Sequence, residues 1–170
     1  SGCRRVFSEY SLMSVASTGP VQHIGRWQDE YTAFRRDLHR HPELGFEEHR
    51  TAQLVCERLR ALGIEHHPGV GRTGIVAVVR GCRDSAGRSV GLRADMDALP
   101  MHEDNEFEHR SRYDGRMHGC GHDGHTTMLL GAAQALAQRR NFTGTVYFIF
   151  QPAEENEGGG RVMVEEGLFD

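Results

Sequence analysis

The hydrophobic and polar positions along this chain of 170 residues follow helical spacing in some segments and form short apolar runs in others. Apolar residues recur at every third or fourth position in three segments, and a further short helix is expected after three consecutive glycines. The predicted helices are residues 27–40, 47–62, 124–140 and 161–167. The predicted strands, rich in β-branched and apolar residues, are 73–79, 89–95 and 146–151. Strands separated by helices indicate an α/β layered domain.

The strand patterns also predict positions in the sheet. The strand at 146–151 is an almost unbroken apolar run, which indicates a central position, and the strand at 73–79 has the composition of one buried on both faces. Because only the polar turn at 81–87 follows it, we expect this strand and the next to form a hairpin. The short polar stretch after the second helix is expected to be exposed, with His66 and His67 at the surface.

The N-terminal region differs in composition from the rest of the chain. Residues 1–25 are rich in Ser, Gly and Thr and show no hydrophobic period, so we expect a disordered tail. They also lack the continuous apolar segment of a secretory signal. A natural start at Met13 would make residues 1–12 an upstream extension. N-terminal sequencing of the native protein tests this, and a chain starting at Ser1 or earlier would disprove it.

Composition excludes some functions and favours others. The net charge of −4 gives no basic surface for nucleic acid, and no apolar run is long enough to span a membrane. We therefore expect a soluble protein that binds neither nucleic acid nor membrane. The four cysteines form no CxxC pair and do not indicate a disulfide framework. Only Cys120 has neighbours that could bind metal, and because a ligating thiolate must stay reduced, we expect the protein in the cytoplasm.

The densest group of possible metal ligands lies between residues 118 and 125. It contains His118, Cys120, His122 and His125, separated by glycines that let the backbone bend sharply. One interpretation is a closed zinc site that only stabilises the fold. Such sites usually draw on two separated Cys/His pairs, and the sequence offers no second pair. A mixture of Cys, His and carboxylate ligands fits an open, catalytic site better.

Carboxylates follow two of the predicted strands. Asp95 and Asp97 follow one strand, and Glu154 and Glu155 follow another, directly after Pro152. Because sites in α/β sheets form beyond the carboxyl ends of strands, we expect these segments to converge with the Cys/His group. One glutamate would bind metal and the other would act as general base, the alternative being an exposed acidic turn. The aspartates either orient a ligand histidine or simply end their strand.

Four motifs together resemble the M20 metallopeptidase family. They are RDLHRHPE at 36–43, LRADMDALP at 92–100, HGCGHDGH at 118–125 and QPAEE at 151–155. The most similar branch is the amidohydrolases that include hippurate hydrolase, N-acyl-amino-acid amidohydrolases and auxin-conjugate hydrolases. The resemblance implies a two-metal enzyme that cleaves the amide bond of a small N-acyl amino acid. The two divalent metal ions could be zinc, manganese, cobalt or nickel.

The resemblance also implies roles for individual residues. Cys120, His122 and Glu155 match the metal ligands of the family, and Glu154 matches its general base. Asp97 matches an acidic residue that contacts and orients a metal ligand, and Asp95 is a candidate for the same role. His118 and His125 are expected to be supports or substrate-side groups. Asp123 is expected to cap the helix that follows.

Part of the family pattern has no counterpart in this sequence. The histidine ligands that follow later in the family, and its inserted dimerisation domain, are absent from these residues. We therefore expect residues 26–170 to be the N-terminal part of a zinc-peptidase-like catalytic domain with a central mixed sheet. We expect the 170 residues alone to be inactive and the full-length protein to be a homo-oligomer. The alternatives are a non-catalytic structural zinc domain, and a deacetylase or aminopeptidase of the same family.

Overall fold

A computed structural model of the chain describes residues 24–83 and 87–170. The predicted tail at 1–25 thus lies outside the described residues except for its last two positions. The described helices are α1 (Gln28–Arg40), α2 (His49–Ala61), α3 (His122–Arg139) and α4 (Gly159–Glu165). The described strands are β1 (Glu65–Val70), β2 (Gly74–Arg80), β3 (Ser89–Asp95) and β4 (Thr145–Gln151). Within these ranges, every helix is too short or too polar to cross a membrane.

The four strands form one mixed sheet in the order β1-β2-β4-β3. This confirms the predicted α/β class, and β4 occupies the central position that its apolar run indicated. The predicted hairpin between the strands at 73–79 and 89–95 is wrong. β2 pairs antiparallel with β1 and with β4, whereas β3 pairs parallel with β4. Because β2 is buried along six of its seven residues, it needs a strand on both sides, and β3 is instead joined to β4 by a helical crossover.

The strand β1 was missed because its sequence carries almost no apolar face. Four of its six residues are exposed, and it contains Pro68 and Gly69. Proline is tolerated here because β1 lies at the edge of the sheet. The register with β2 shifts between Pro68 and Val70. The segment is a strand because the buried β2 offers it a hydrogen-bonding partner, which is a tertiary effect rather than a local propensity.

The helices cover the two faces of the sheet unequally. The main core packs side chains of α1, α2 and α3 against one face, and its fully buried members include Leu38, Leu59, Leu130 and Phe148. A smaller cluster on the other face joins Met163 of α4 to residues of β2 and β4 that alternate with those of the main core. The face covered by the main core also carries α3. This helix begins beside the ends of β3 and β4.

Candidate metal centre

The ends of β3 and β4 lie side by side because the two strands run in the same direction. Asp95 is paired with Gln151, and the backbone N–H of Met96 donates to the carbonyl oxygen of Gln151 at 3.0 Å. The segments that follow these strands therefore leave the sheet at the same edge, and α3 begins above them. The three segments that the sequence predicted to converge do meet at this edge.

His122 is the centre of the site. It is the first residue of α3 and is 3% exposed. Its Nδ1 lies 2.9 Å from the carbonyl oxygen of Asp97 and 3.2 Å from Oδ1 of the same residue. Because Nδ1 donates to these acceptors, the lone pair of the neutral ring lies on Nε2. That nitrogen is 3.6 Å from Glu155 Oε1, 3.6 Å from Asp95 Oδ1 and 3.9 Å from Glu154 Oε2.

Three of the predicted ligands are close enough to hold one ion. Ligand atoms of Cys120, His122 and Glu155 all lie within 4.8 Å of one another. Oε1 of Glu155 is buried and has no hydrogen-bond partner among the described residues, although it is a carboxylate oxygen among polar groups. A thiolate, an imidazole nitrogen and a carboxylate form a ligand set typical of zinc, with bond lengths of about 2.0–2.3 Å. These residues therefore fit a divalent cation.

The electrostatics of these groups point the same way. The hydrogen bond to Glu155, burial and the charges of nearby carboxylates raise the pKa of the Cys120 thiol to about 11. Burial lowers the pKa of His122, but the hydrogen bond to Asp97 and the surrounding negative charges outweigh burial and raise it. The negative charge around these two residues therefore favours their protonated forms. A divalent cation would displace both protons and favour the thiolate and the neutral imidazole.

Asp97 contacts two of the three candidate ligands. Its side chain is 1% exposed, with Oδ1 facing His122 and Oδ2 accepting the backbone N–H of Glu155 at 3.0 Å. Burial raises the pKa of Asp97, but the hydrogen bonds from His122 and from backbone N–H groups outweigh burial and lower it. Asp97 is therefore an ionised carboxylate that orients both partners, the geometry expected of the supporting role.

Asp95 contacts a different histidine. Its Oδ1 lies 2.7 Å from Nδ1 of His125, and its Oδ2 lies 3.4 Å from Arg93. Asp95, His122 and His125 form a second group whose ligand atoms lie within 4.8 Å of one another. Both groups share His122, and its Nε2 faces both. Asp95 thus holds His125 in place while lying near enough to Nε2 to be a further ligand to the same ion.

The turn that presents the two glutamates is under backbone strain. Ala153 has φ +49°, a left-handed conformation that costs a residue with a Cβ roughly 1–2 kcal/mol. Its N–H donates to Oε1 of Glu48 at 2.8 Å, and its carbonyl oxygen accepts the N–H of Gly159 at 2.9 Å. Position 159 has no room for a side chain, because a Cβ there would lie 1.9 Å from the carbonyl oxygen of Pro152.

The predicted capping role of Asp123 is wrong. The cap position of α3 is Gly121, with φ +85°, and no side chain caps this end. The Oδ2 atom of Asp123 instead lies 3.0 Å from Nδ1 of His39 and 3.2 Å from Nε of Arg35. Since Asp123 is 1% exposed, its carboxylate pairs with these cationic groups rather than with solvent or the helix end.

The sequence analysis did not identify the cluster around His39. Nε2 of His39 lies 3.1 Å from Oε1 of Glu103, so both ring nitrogens face carboxylates. The hydrogen bond to Asp123 is the largest effect that raises the pKa of His39, and it outweighs burial. His39 is therefore a buried structural residue. The signal for it in the sequence is its place beside Leu38, on the buried side of α1.

His118 lies between the two clusters without joining either. It is 4% exposed, and neither ring nitrogen has a hydrogen-bond partner among the described residues. Burial lowers its pKa to about 4, so the ring is neutral at physiological pH. Its ring centroid is 6.3 Å from that of His39. His118 belongs to neither group of possible metal ligands, and its role as a support or a substrate-side group stays a prediction.

A broad recess of the surface lies beside the candidate ligands rather than over them. It has a volume of about 740 Å³, runs between α1 and α3, and is lined mainly by apolar groups such as Trp27, Tyr31 and Met128. His125 reaches it, but Cys120 and Glu155 do not line it. The chemistry of the site therefore rests on the geometry around His122, not on this recess.

Comparison with known proteins gives a consistent result. Residues 91–170 match peptidase family M20/M25/M40. The hippurate hydrolase of Campylobacter jejuni is 46% identical over 143 residues, covering 84% of this chain and 37% of that protein. The N-acyl-L-amino acid amidohydrolase of Geobacillus stearothermophilus is 48% identical over 140 residues, covering 81% of this chain and 37% of that protein.

A solved structure extends the similarity to the fold. The YXEP protein of Bacillus subtilis, described as a dinuclear metal binding peptidase from the M20 family, superposes with a TM-score of 0.79 at 41% sequence identity. The match covers 86% of this chain and 41% of that chain. The present chain thus spans only 37% to 41% of the length of these three relatives.

Proposed function

Because this chain belongs to peptidase family M20/M25/M40, we propose that the protein is a metal-dependent amidohydrolase acting on N-acyl amino acids. The observation that carries the proposal is the group formed by Cys120, His122 and Glu155, with Glu154 beside it. Relatives named hippurate hydrolase and N-acyl-L-amino acid amidohydrolase support this substrate class. The domain proposal follows: residues 26–170 would be the N-terminal part of the catalytic domain.

We propose that two divalent metal ions are bound, as the dinuclear relative supports. Cys120, His122 and Glu155 would hold one of them, and the thiolate favours an ion that accepts soft ligands, such as zinc. Manganese, cobalt and nickel are the alternatives. The resemblance implies that further histidine ligands come from sequence outside these 170 residues. Metal analysis of the full-length gene product tests the proposal, and a protein that binds no divalent metal would disprove it.

We propose Glu154 as the general base. Its side chain is 39% exposed, and its Oε2 lies 3.9 Å from Nε2 of His122. It can therefore reach both solvent and the ligand group without being a ligand itself. Bound metal ions would lower the pKa of a water molecule and polarise the substrate carbonyl. Glu154 would take the proton from the attacking water and deliver it to the leaving amine, while Asp97 keeps His122 and Glu155 oriented.

The test is the substitution Glu154→Gln in the full-length gene product. Because glutamine cannot accept the proton, we expect turnover of N-benzoyl and N-acetyl amino acids to fall by at least about 100-fold, the lower end of what a general base contributes. Metal content should stay near that of the wild type. Glu157→Gln, an exposed acidic residue of the same turn, is the matched control and should retain activity.

The outcomes separate the competing functions. Full turnover by the Glu154→Gln variant would refute the general-base role. One tightly bound metal per chain with no turnover of any acylated substrate would instead support a structural zinc domain. Activity confined to peptides or to other acylated amines would support the aminopeptidase or deacetylase alternative.

Location and assembly are further parts of the proposal. A Cys120 thiolate ligand must stay reduced, which supports the cytoplasm. The resemblance supports a homo-oligomer for the full-length protein, without nucleic acid or membrane partners. Cell fractionation and light scattering test these points, and a secreted or monomeric protein would contradict them.

A further inference from the structure

Glu48 is a buried carboxylate with no assigned role. It lies just before α2, it is fully buried, and both of its oxygens accept hydrogen bonds. Oε2 accepts the hydroxyl of Thr73 at 2.6 Å, and Oε1 accepts the backbone N–H of Ala153 at 2.8 Å. Among residues 24–83 and 87–170 it forms no ion pair. A carboxylate is rarely buried in this way unless its hydrogen bonds matter.

The carboxylate does not cap its own helix. Glu48 occupies the cap position of α2, but its own side chain makes no hydrogen bond to that end of the helix. The first N–H groups of the helix are bound instead by Glu43, whose oxygens accept from Arg50 at 2.9 Å and Thr51 at 2.8 Å. Helix formation therefore does not explain why residue 48 is an acid. Its longest-range contact, to Ala153, lies 105 residues away in the sequence.

Ala153 is the residue where this contact has consequences. It is fully buried and left-handed, and Glu154 and Glu155 follow it directly. Glu155 is held by Asp97 through its backbone N–H, so the turn has one anchor on each side of Glu154. Without Glu48, the N–H of Ala153 would be buried without an acceptor, and an extended conformation would become the easier solution.

We propose that Glu48 is a positioning residue, whose carboxylate holds Ala153 in its left-handed conformation and thereby sets where Glu154 and Glu155 stand relative to His122. This inference rests on the proposed function, because it assigns a role within the same site. It connects α2, which carries none of the candidate ligands, to the turn that carries two catalytic candidates. Asp97 then fixes the far side of this turn, and Glu48 fixes the near side.

The experiment uses the full-length gene product loaded with Co²⁺ as a spectroscopic probe. Glu48→Leu removes the acceptor at similar volume, and Glu48→Asp keeps the charge but shortens the reach by one methylene. For both we expect kcat to fall about 10–100-fold, KM to change less than about 3-fold, and the cobalt absorption spectrum to shift. Glu48→Gln keeps an acceptor for Ala153 and should restore kcat and the wild-type spectrum.

Two controls separate positioning from stability. Thr73→Val removes the other hydrogen bond to the same carboxylate, so it should lower the unfolding midpoint but leave kcat and the cobalt spectrum within about 2-fold of wild type. Glu47→Gln changes the charge of the exposed neighbour, which pairs with Arg116 at 2.9 Å, and should change neither. If Glu48→Leu does not fold, Glu48→Asp and Glu48→Gln still decide between the outcomes.

The inference is wrong if folded Glu48→Asp or Glu48→Leu protein has the wild-type kcat and cobalt spectrum. It is also wrong if Thr73→Val loses as much kcat as the Glu48 variants, because the effect would then follow stability alone. Failure of the proposed function looks different: the wild-type protein itself would neither bind cobalt nor hydrolyse N-acyl amino acids.

Discussion

Two histidine–carboxylate clusters lie near each other in this protein, and they differ in the partners of their histidine ring nitrogens and in their balance of charge. We call them the His39 cluster (Arg35, His39, Glu103, Asp123) and the His122 cluster (Asp95, Cys120, His122, Glu154, Glu155). In the His39 cluster, both ring nitrogens lie within 3.1 Å of a carboxylate oxygen, and two carboxylates face two cationic groups. The two cationic groups balance the charge of the two carboxylates.

The His122 cluster has similar residue types and a different balance. One ring nitrogen of His122 is hydrogen-bonded, but Nε2 faces three carboxylates at 3.6–3.9 Å. Each cluster has one buried carboxylate oxygen without a hydrogen-bond partner among the described residues, Oδ1 of Asp123 and Oε1 of Glu155, so this feature does not separate them. Carboxylates gathered around one nitrogen repel each other unless a cation joins them. The comparison teaches that residue type and proximity do not distinguish a structural cluster from a candidate metal site, whereas the partners of the ring nitrogens and the balance of charge do.

The largest expected effect follows from disrupting the His39 cluster. His39→Ala leaves two buried carboxylates without their shared cation, so we expect the free energy of unfolding to fall by about 3–5 kcal/mol. Urea unfolding of metal-free protein measures it. His67→Ala is the matched control, because His67 is exposed and its partner among the described ion pairs is Glu65. This substitution should lower the free energy of unfolding by less than about 1 kcal/mol. Equal losses would mean that the His39 cluster is not a buried charge network.

The second prediction breaks the other cluster. Glu155→Gln removes a charged ligand, so we expect zinc affinity to fall by at least about 100-fold, more than the loss of a supporting residue usually causes. His39→Gln should lower zinc affinity by less than about 10-fold, because His39 is no ligand. Competition with a chelator of known affinity measures both. A similar loss in the two variants would erase the distinction between the clusters.

The third prediction uses pH. The pKa of His39 is raised above its usual 6.5 in the folded protein, so its contribution to stability is complete below about pH 6.5 and is lost as pH rises through the raised pKa. The pKa values of Asp123 and Glu103 are lowered, so their contributions are lost as pH falls through those values.

The stability difference between the wild type and His39→Gln should therefore be largest near pH 5–6 and should shrink toward pH 9. Each unit by which the pKa of His39 is raised contributes about 1.4 kcal/mol of this change. Urea unfolding of metal-free protein across this range measures it. A difference that grows with pH would show that His39 is neutral in the folded state.

The smallest expected effect is the most direct test of the difference between the His39 cluster and the His122 cluster. In metal-free protein, Glu155→Gln relieves repulsion between carboxylates, so we expect stability to be unchanged or to rise by up to about 1 kcal/mol. Thermal unfolding in the presence of a chelator measures it. A loss of more than about 2 kcal/mol would indicate that Glu155 is already satisfied by the protein and does not wait for a cation.

The sequence predicted the elements of this fold better than their arrangement. Helices and three strands were found because their apolar periods are strong, and α1 and β3 match almost residue for residue. The missing strand β1 carries a polar sequence that only its pairing with β2 explains. The predicted pairing of β2 with β3 was wrong because a short connection favours a hairpin locally, whereas the buried β2 has β1 and β4 as partners.

The candidate ligands could be predicted because they are clustered in the sequence. Cys120 and His122 share one loop, and Glu154 and Glu155 follow one strand, so local signals and the strand-end rule were enough. The His39 cluster joins residues 64 and 84 positions apart, and no local pattern marks such pairs. In the sequence Glu48 resembles an ordinary acid at the start of a helix, because its partner Ala153 lies 105 positions away.

The parallel pairing of β3 with β4 limits how far the segments that form the candidate centre can shift relative to each other. Asp95 pairs with Gln151, and successive side chains of β4 alternate between the main core and the smaller cluster, so slips are permitted only in steps of two residues. Such a step moves one strand past the other by about 6.6 Å. That exceeds the 4.8 Å within which the ligand atoms lie. The smallest slip that the sheet permits would therefore already separate the candidate ligands. The site can form only when β3 and β4 are in their native register.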